Sequence, residues 1–561
     1  MVEHYRQQSL LPRMAMTALA NWSEQLNSEH GEVFTRRWVV DLILDLAGYV
    51  PESDLVNQTV VEPSCGGGAF VAVIIDRLLA SMSIHGHSFD DLEGSVLALD
   101  LLKHNVDISR KSAEVALLAA GCDQKLASEL AQSWVQPADF LLDDLAESGA
   151  DFVVGNPPYI RLEDVPADVS DEYRRRWPTM RGRSDIYVGF YERGLDLLKP
   201  DGRLAFICAD RWMRNQYGGR LRKLISDHYA VDNVIVMHDV DAFEEQVSAY
   251  PAITVLRNGK QKAVQVVDAN CTLDEVNAKP LGTWSTQPRR KAPISDAFDA
   301  VRLPTWFDGP GLWPSAPPDQ LELIAELESR FQPLENAATG TRVGIGVATG
   351  CDQVYLRKDV IEVEPERLLP MLTAADIASG TPEWSGTHLV NPWADDGLVD
   401  LACYPKLASY LHSHEKQVRN RHVAKKNPKS WYRTIDRVTA GLKDRPKLLM
   451  PDMKAAAHPV LDPGGFYPHH NLYYVVSDSW DLEVLGGLLL SDFANLFVGA
   501  YCVKMRGGTY RFQAQYLRKI RVPDPDCIDR ATKEQLVESF RCRDTAAATA
   551  AAEKGYGLRL T

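Results

Sequence analysis

One stretch of sequence indicates the fold, Val60-Val61-Glu62-Pro63-Ser64-Cys65-Gly66-Gly67-Gly68-Ala69-Phe70. An apolar run ends at Glu62, three glycines follow, and a helical pattern begins near Ala69. A strand–turn–helix unit of this kind lets the backbone approach a ligand that lies beyond the carboxyl end of the strand. The turn alone leaves a dinucleotide, a phosphate and a simple tight turn open. The acidic Glu62 favours a cationic or hydroxyl-bearing ligand over a phosphate.

Outward from this stretch, apolar runs alternate with helical patterns. Continuous apolar runs are typical of buried parallel strands, and they occupy residues 59–63, 95–100, 151–156, 203–209 and 231–237, with another short strand at 252–256. Helical patterns between and beside them occupy residues 39–47, 69–81, 103–120 and 185–198. This alternation predicts an α/β fold with a doubly wound, Rossmann-like sheet.

The 561 residues are enough for several domains. We expect the α/β domain to cover residues 1–260. Eight prolines between positions 280 and 318 predict a connector over residues 261–320. A mixed α+β domain is expected over residues 321–530, and an alanine-rich helical tail over residues 531–561.

Composition excludes several protein classes. Apolar residues make up 45% of the chain and charged residues 24%, which excludes a collagen, a coiled-coil rod and a wholly disordered chain. No run approaches about 18 consecutive apolar residues, so no transmembrane helix is expected. The nine cysteines are scattered without a CxxC pair. This argues against a disulfide framework and a zinc ribbon, and it favours a reducing cytoplasm.

The charge is unevenly distributed along the chain. The net charge is −15, and residues 31–160 carry 20 Asp and Glu against 7 Lys and Arg. Residues 416–447 carry the opposite balance, 11 Lys and Arg against 2 Asp and Glu. Because binding depends on local fields, this basic run is a candidate nucleic-acid surface, with a solvated protein face as the alternative.

Two further motifs stand at strand ends. Asp100 ends its predicted strand, where a carboxylate accepts both hydroxyls of a ribose or caps the next helix. Asn156-Pro157-Pro158-Tyr159 directly follows the strand at 151–155. The two prolines stiffen this loop and force the residues before them into an extended conformation. A plain proline turn is the alternative interpretation.

The second motif suits methyl transfer to an amine on an aromatic ring. The nitrogen lone pair of such an amine is delocalised into the ring, which makes it a poor nucleophile. The Asn156 side-chain oxygen and the Pro157 carbonyl can accept the two amine hydrogens, pull the nitrogen toward a tetrahedral geometry and localise its lone pair. Tyr159 offers a flat face on which a base can stack.

These motifs resemble those of γ-class, TaqI-type N6-adenine DNA methyltransferases of type II restriction–modification systems. The resemblance covers roughly residues 30–260 and implies an S-adenosylmethionine cofactor. The segment Gly31-Glu32-Val33-Phe34-Thr35 is similar to the first motif of the family, and Asp139 is similar to the residue that binds the amine of the cofactor adenine. The implied cofactor residues are Phe34, Thr35, Glu62, Pro63, Cys65, Gly66, Gly68, Asp100, Leu101, Asp139, Phe140 and Asn156. The implied catalytic residues are Asn156, Pro157, Pro158, Tyr159 and Phe243, with Phe243 as a second stacking ring or, alternatively, a core residue.

The C-terminal half resembles a DNA target-recognition domain. Cations and aromatic residues interleave in its basic run, and such residues contact phosphates and base edges. The candidate DNA-binding residues of the whole chain are Arg174, Arg183, Lys425, Lys426, Lys429, Trp431, Arg433, His469, His470, Arg506 and Arg511. No metal site is expected, because adjacent histidines in a strand point in different directions and no set of Cys or His partners follows.

The resemblance implies methylation of an adenine flipped out of double-stranded DNA. The chain is then expected to be a cytoplasmic monomer, with any restriction endonuclease encoded separately. Cytosine-N4 methylation is the nearest alternative because it uses the same amine chemistry, and methylation of RNA or of a protein glutamine is a weaker one. The motif Asn156-Pro157-Pro158-Tyr159 argues against a non-catalytic specificity subunit. Pro451-Asp452-Met453-Lys454 lacks the spaced Glu-x-Lys of a fused nuclease.

Overall fold

The computed structural model describes residues 34–144, 149–245, 250–287, 292–502 and 509–560. The chain divides into two compact units, Met1–Glu322 and Leu323–Thr561. Each unit has its own sheets and its own hydrophobic clusters.

The first unit is built on a nine-stranded sheet with the order β3-β2-β1-β4-β5-β7-β6-β8-β9. Its strands are β1 (Val60–Glu62), β2 (Val96–Asp100), β3 (Val135–Pro137), β4 (Ala150–Gly155), β5 (Leu198–Ala209), β6 (Ala230–Val236), β7 (Pro251–Arg257), β8 (Val264–Ala269) and β9 (Phe298–Leu303). The five strands from β3 to β5 in this order are parallel, and β7 pairs antiparallel with both β5 and β6.

Helices cover both faces of this sheet. They are α1 (Arg37–Ala47), α2 (Ala69–His85), α3 (Lys103–Ala119), α4 (Gln124–Trp134), α5 (Ala167–Arg176), α6 (Tyr187–Asp196), α7 (Arg211–Arg214), α8 (Gly219–His228) and α9 (Glu275–Ser285), and α10 (Pro318–Arg330) runs across the division between the units. Successive side chains of a strand point to opposite faces. Phe152 and Val154 of β4 accordingly join the cluster that contains α1–α4, whereas Val153 joins the cluster that contains α5, α6 and α8. The predicted doubly wound α/β sheet is confirmed.

The prediction of a proline-rich connector over residues 261–320 is wrong for the first two thirds of that range. Strands β8 and β9 extend the sheet there, and α9 lies between them with Pro280 inside it. The eight prolines all lie at or beyond position 280, so they do not bear on the apolar run Val264-Gln265-Val266-Val267, which forms β8. Pro304 follows the last residue of β9, where the loss of a ladder hydrogen bond does no harm.

The second unit is mixed α+β, as predicted. Its two four-stranded sheets have the orders β11-β21-β17-β19 and β12-β14-β13-β20. The strands are β10 (Gln332–Pro333), β11 (Arg342–Ile345), β12 (Leu356–Arg357), β13 (Leu368–Leu372), β14 (His388–Val390), β15 (Trp393–Ala394), β16 (Gly397–Leu398), β17 (Lys447–Pro451), β18 (Met453–Lys454), β19 (Val460–Asp462), β20 (Tyr467–Pro468), β21 (Leu472–Val476), β22 (Tyr510–Arg511) and β23 (Arg521–Val522). Lys447 and Asp462 face each other across β17 and β19 as a fully buried ion pair.

The helices of the second unit include the predicted C-terminal tail. They are α11 (Asp352–Tyr355), α12 (Pro405–Ser413), α13 (Glu415–Arg419), α14 (His422–Lys426), α15 (Leu482–Leu490), α16 (Asp492–Tyr501), α17 (Ala514–Leu517), α18 (Arg530–Cys542) and α19 (Thr545–Tyr556). Leu536 and Phe540 of α18 are buried, so this segment packs into the unit. Within the described ranges, no single helix is long and apolar enough to cross a membrane. Helices α15 and α16 reach that composition only together, and they meet at 61°.

Candidate active site

A cleft opens beyond the carboxyl ends of β1, β2 and β4, which is where open α/β sheets bind ligands. Its empty volume is about 1070 Å³ including the open mouth. Most residues selected from the sequence line it, namely Phe34, Thr35, Pro63, Cys65, Gly66, Asp100, Leu101, Asp139, Phe140, Asn156, Pro157, Pro158 and Tyr159. Glu62 and Gly68 belong to the same turn but do not form part of the lining.

Sequence reasoning missed several other residues of this lining. They are Ser64, Gly67, Ala69, Phe70, Leu102, Asn105, Ala138, Ile160, Tyr173, Ile186 and Phe190. The first four stand within the glycine-rich stretch, so the turn itself could have indicated them. Tyr173 comes from α5 and Phe190 from α6, and no motif in the sequence marks either position.

The glycine-rich turn is shaped by close backbone approaches. Gly68 has φ +88°, a left-handed conformation that favours glycine. A Cβ atom on Gly67 would lie 2.7 Å from Cε1 of Phe34. Glycine at position 67 therefore lets the Phe34 ring approach the turn, and both residues line the cleft.

Glu62 is a buried carboxylate behind the turn. Its side chain is 1% exposed, and its Oε2 accepts a hydrogen bond from the Ser64 amide at 3.2 Å. Its Oε1 is buried and has no hydrogen-bond partner among the described residues. Burial, together with the nearby Asp100 carboxylate, raises the pKa of Glu62 well above its usual range. A buried acceptor of this kind fits a ligand that brings a positive charge or a donor.

Asp100 organises the neck of the cleft. Its Oδ2 accepts from the Gly66 amide at 2.8 Å, and its Oδ1 accepts from the Leu102 amide at 2.8 Å and from Asn105 Nδ2 at 3.2 Å. The carboxylate therefore joins the glycine-rich turn to the start of α3. Both sequence interpretations of Asp100 are compatible with this position, because it caps the following segment and also lines the cleft.

Asp139 is held by two donors. Tyr173 Oη donates to its Oδ2 at 2.7 Å, and the Leu141 amide donates to its Oδ1 at 2.8 Å. Burial raises the pKa of Asp139 to about 6, although these two hydrogen bonds oppose the rise. Phe140 stands beside Asp139, and its ring centroid lies 5.1 Å from that of Phe190. This corner of the cleft combines an aromatic wall with an acceptor that titrates near neutral pH.

The loop after β4 is tied to the rest of the cleft. Asn156 Nδ2 donates to Thr35 Oγ1 at 3.3 Å, which assigns the acceptor role to Asn156 Oδ1. Ser64 Oγ donates to the Asn156 backbone carbonyl at 3.2 Å, and Tyr159 Oη donates to the Ile207 carbonyl at 3.3 Å. The loop is thus held at its first and last residues, so its two prolines lie between fixed points.

Comparisons with known proteins identify the family. A family model described as Eco57I restriction-modification methylase matches residues 81–243. The chain is 43% identical to the type II methyltransferase M.PaeR7I of Pseudomonas aeruginosa, over 98% of this chain and 95% of that relative. It is 41% identical to the type II methyltransferase M.XhoI of Xanthomonas vasicola, over 94% of this chain and 97% of that relative.

This chain belongs to the type II DNA methyltransferases of restriction–modification systems. The family predicted from the strand-end motifs is confirmed. The solved structure of MmeI, a type IIL restriction-modification enzyme in complex with DNA, shares the fold of the methyltransferase. That similarity has a TM-score of 0.52 and 11% identity, and it covers 93% of this chain and 74% of the MmeI chain.

Phe243 does not line the cleft of the methyltransferase. Its backbone forms an antiparallel bridge with Thr35, and the Arg36 amide donates to the Ala242 carbonyl at 3.0 Å. The Phe243 side chain, however, is 5% exposed and lies in the hydrophobic cluster that contains Ile235 and Ile253. The structure therefore contradicts the predicted stacking ring and favours the alternative of a core residue. Residues 31–33 of the first motif, and residues 246–249 beside Phe243, lie outside the described residues.

The candidate DNA-binding residues of the second unit fall into two groups. Lys425, Lys426 and Lys429 are exposed on and just after α14, as a nucleic-acid surface requires. Trp431 is only 5% exposed, and the Arg419 guanidinium lies 4.7 Å from its ring centroid, so Trp431 is a core residue and the prediction for it is wrong. Interleaved aromatic residues look alike in a sequence whether they point outward or inward.

Two of the remaining candidates contact other side chains of the second unit, and the others differ in exposure and in position along the chain. The Arg433 guanidinium stacks over Trp393 at 5.5 Å, and Arg511 forms an ion pair with Asp452. His469 is buried and His470 is exposed. In the first unit, Arg174 donates to the Gly182 carbonyl and Arg183 is 90% exposed. Arg506 lies outside the described residues.

Proposed function

We propose that this methyltransferase transfers a methyl group from S-adenosylmethionine to the exocyclic N6 amine of an adenine in double-stranded DNA in the cytoplasm. One observation carries the proposal: the fixed Asn156–Tyr159 loop lines a cleft at the strand ends, with Asn156 Oδ1 as an acceptor. An acceptor pair formed by Asn156 and Pro157 matches the two hydrogens of an aromatic amine.

Residues of the cleft, together with Glu62 in the turn behind it, fit the cofactor. Glu62 Oε1, which has no partner among the described residues, suits an ammonium group, and Asp100 at the end of β2 suits ribose hydroxyls. Asp139 suits the exocyclic amine of an adenine, with Phe140 alongside. When bound, S-adenosylmethionine supplies an activated methyl group on a sulfonium. The residues of the chain position it and the base.

The loop after β4 performs the activating step. The target adenine leaves the duplex because its amine is out of reach inside the helix. Asn156 Oδ1 and the Pro157 carbonyl accept the two amine hydrogens and localise the nitrogen lone pair. The nitrogen would gain positive charge as it bonds to the methyl carbon and the carbon–sulfur bond of the sulfonium breaks to leave a neutral thioether. The two fixed oxygens would stabilise that charge until the nitrogen releases a proton to solvent. Tyr159 provides the stacking face, and its hydroxyl is held by the Ile207 carbonyl.

Methylation-sensitive long-read sequencing tests the proposed function directly. DNA is taken from cells that express the chain and from cells that express Asn156→Ala. We expect N6-methyladenine at one recurring sequence in the first sample only. N4-methylcytosine at a recurring sequence would assign the alternative base. Equal modification in both samples, or none in either, would contradict the proposal.

The hydrogen bond from Tyr173 to Asp139 predicts a shifted pH dependence. Tyr173→Phe removes a bond that lowers the pKa of Asp139, so that pKa rises above its native value of about 6. The carboxylate is the form that accepts the cofactor amine, so cofactor affinity falls as pH drops through this pKa. In Tyr173→Phe the fall starts at higher pH. A rise of about one pKa unit gives a loss of roughly 2-fold near neutral pH, which approaches about 10-fold below the native pKa.

Calorimetric cofactor titrations across the acidic to neutral range measure this effect. Tyr187→Phe is the matched control, because the Tyr187 hydroxyl is bonded to the Tyr217 hydroxyl at 2.8 Å and does not contact Asp139. We expect Tyr187→Phe to keep the wild-type pH profile. If the pH profiles of Tyr173→Phe and the control superimpose, Tyr173 does not influence cofactor binding.

The exposed lysines around α14 predict a change in the salt dependence of DNA binding. Neutralising Lys425, Lys426 and Lys429 together to glutamine should weaken duplex binding, and each lost phosphate contact should reduce the slope of log K against log salt by roughly 0.9. The matched control neutralises three exposed lysines of the first unit, Lys260, Lys262 and Lys279. If the two triple variants have equal slopes of log K against log salt, the lysines near α14 are a solvated face that does not bind DNA.

A further inference from the structure

Three metal-binding side chains meet in the second unit. Asp352, His469 and His470 each place one ligand atom within 4.8 Å of those of the other two. This cluster has no role in the cleft chemistry, which uses residues of the first unit alone. The sequence predicted no metal site here because adjacent histidines in a strand point in different directions.

The chain geometry explains why the two histidines converge. Strand β20 ends at Pro468, and His469 and His470 lie in the turn that leads to β21. Their ring centroids are 4.0 Å apart. Side chains of neighbouring residues diverge in a strand but can converge in a turn.

Asp352 reaches the same place from another segment. The chain beyond β11 runs alongside the turn, since Val347 forms a bridge with His469 and the His470 amide donates to the Val347 carbonyl at 3.2 Å. A Cβ atom on Gly346 would lie 2.2 Å from the His469 carbonyl oxygen, so this close approach needs glycine. The segment then delivers Asp352 at the start of α11, with its Oδ2 3.4 Å from His469 Nε2.

His469 is the residue whose buried ring nitrogens a bound metal ion would contact. It is 7% exposed, and its ring nitrogens make no hydrogen bond of good geometry among the described residues, although Asp352 Oδ2 lies 3.4 Å from Nε2 and Asn471 is a second polar neighbour. A buried imidazole loses its hydration, and the loss is costly when nothing replaces it. Coordination of one ring nitrogen to a metal ion would offset that cost.

We propose that Asp352, His469 and His470 bind one divalent transition-metal ion. Two imidazole nitrogens and a carboxylate oxygen suit Zn²⁺ and similar ions, whereas Mg²⁺ and Ca²⁺ prefer oxygen ligands alone. Three protein ligands leave a fourth tetrahedral position to water. The ion would join the turn before β21 to the segment after β11 and so fix two loops of the second unit.

Zn²⁺ titration of the full-length protein tests the site. The protein is first dialysed against a chelator, then titrated with Zn²⁺ in a calorimeter and, separately, with Co²⁺ while visible ligand-field absorption is recorded. We expect one ion per chain in the wild type. His470→Ala and Asp352→Asn should each weaken Zn²⁺ binding by about 100-fold or more, because loss of a supporting partner alone costs 10–100-fold.

Two exposed residues of the same unit give matched controls, His422→Ala and Asp396→Asn. Both should bind Zn²⁺ as the wild type does. His470 and Asp352 are themselves exposed, and unchanged circular dichroism of the metal-free variants would show that the variants remain folded. Absence of saturable binding by the wild type would overturn the proposal, as would wild-type affinity in both ligand variants.

Discussion

Asn156→Ala is expected to reduce methyl transfer to duplex DNA by at least about 10²–10³-fold while cofactor affinity stays close to wild type. In the proposed mechanism, the variant removes an acceptor that acts on the base amine in the transition state. The proposed cofactor ligands Glu62, Asp100 and Asp139 keep their own contacts. Tritiated methyl incorporation under single-turnover conditions measures the loss, and calorimetry measures cofactor binding.

Thr35→Val is the companion variant. It keeps Asn156 but removes the oxygen that accepts from Asn156 Nδ2 at 3.3 Å. We expect a smaller loss, on the order of 10-fold, because the amide is present but less well oriented. The proposed mechanism fails if Asn156→Ala incorporates methyl groups near the wild-type rate, or if Thr35→Val is the more damaging change.

Lys447→Met is expected to destabilise the second unit by about 3–5 kcal/mol, the usual effect of breaking a buried ion pair. Lys447 and Asp462 are both 0% exposed, and Lys447 Nζ lies 2.7 Å from Asp462 Oδ2. The same ammonium also donates to the carbonyls of Leu442, Lys443 and Arg445. Burial lowers the pKa of Lys447, and the Asp462 carboxylate opposes that change. Methionine would leave the buried carboxylate without its counter-ion and three carbonyls without their donor.

Urea unfolding of the full chain measures this loss of stability. Lys443→Met is the matched control, because its ammonium lies 3.2 Å from Asp444 in a partly exposed pair, and such pairs contribute about 0–1 kcal/mol. The double variant Lys447→Met/Asp462→Leu should recover part of the lost stability, since it removes both charges but leaves the three carbonyls without their donor. Equal unfolding midpoints for Lys447→Met and Lys443→Met would show that the buried pair adds nothing.

The cleft was largely predictable because strand ends carry chemistry in open α/β sheets. Glu62, Asp100 and Asn156 each stand at or just beyond the end of an apolar run, so position and residue type agreed. Tyr173 was not predictable, because its hydroxyl reaches Asp139 from α5 only after the helix packs on the sheet. The sequence around a helix residue does not indicate such a distant partner.

Aromatic residues were the main source of wrong predictions. Phe243 and Trp431 stand in segments whose neighbours suggest a binding role, yet both rings are buried in hydrophobic clusters. Whether a ring faces a cleft or a core depends on elements far away in the chain. Local sequence also concealed β3, whose three residues are too few to show an alternating pattern, and the turn that brings His469 and His470 together.

The pairing of the segment 34–36 with the segment 241–244 has a consequence for biosynthesis. Arg36 and Asp241, which form an ion pair there, are 205 positions apart. The same N-terminal segment supplies Phe34 and Thr35 to the cleft and orients Asn156. A nascent chain can therefore build the glycine-rich turn early, but the wall of its cleft is completed only after residue 244 has left the ribosome. Contacts of such high sequence separation also form slowly. An unfinished chain would accordingly stay inactive until the segment 241–244, which follows the sixth of the nine strands, has been synthesised.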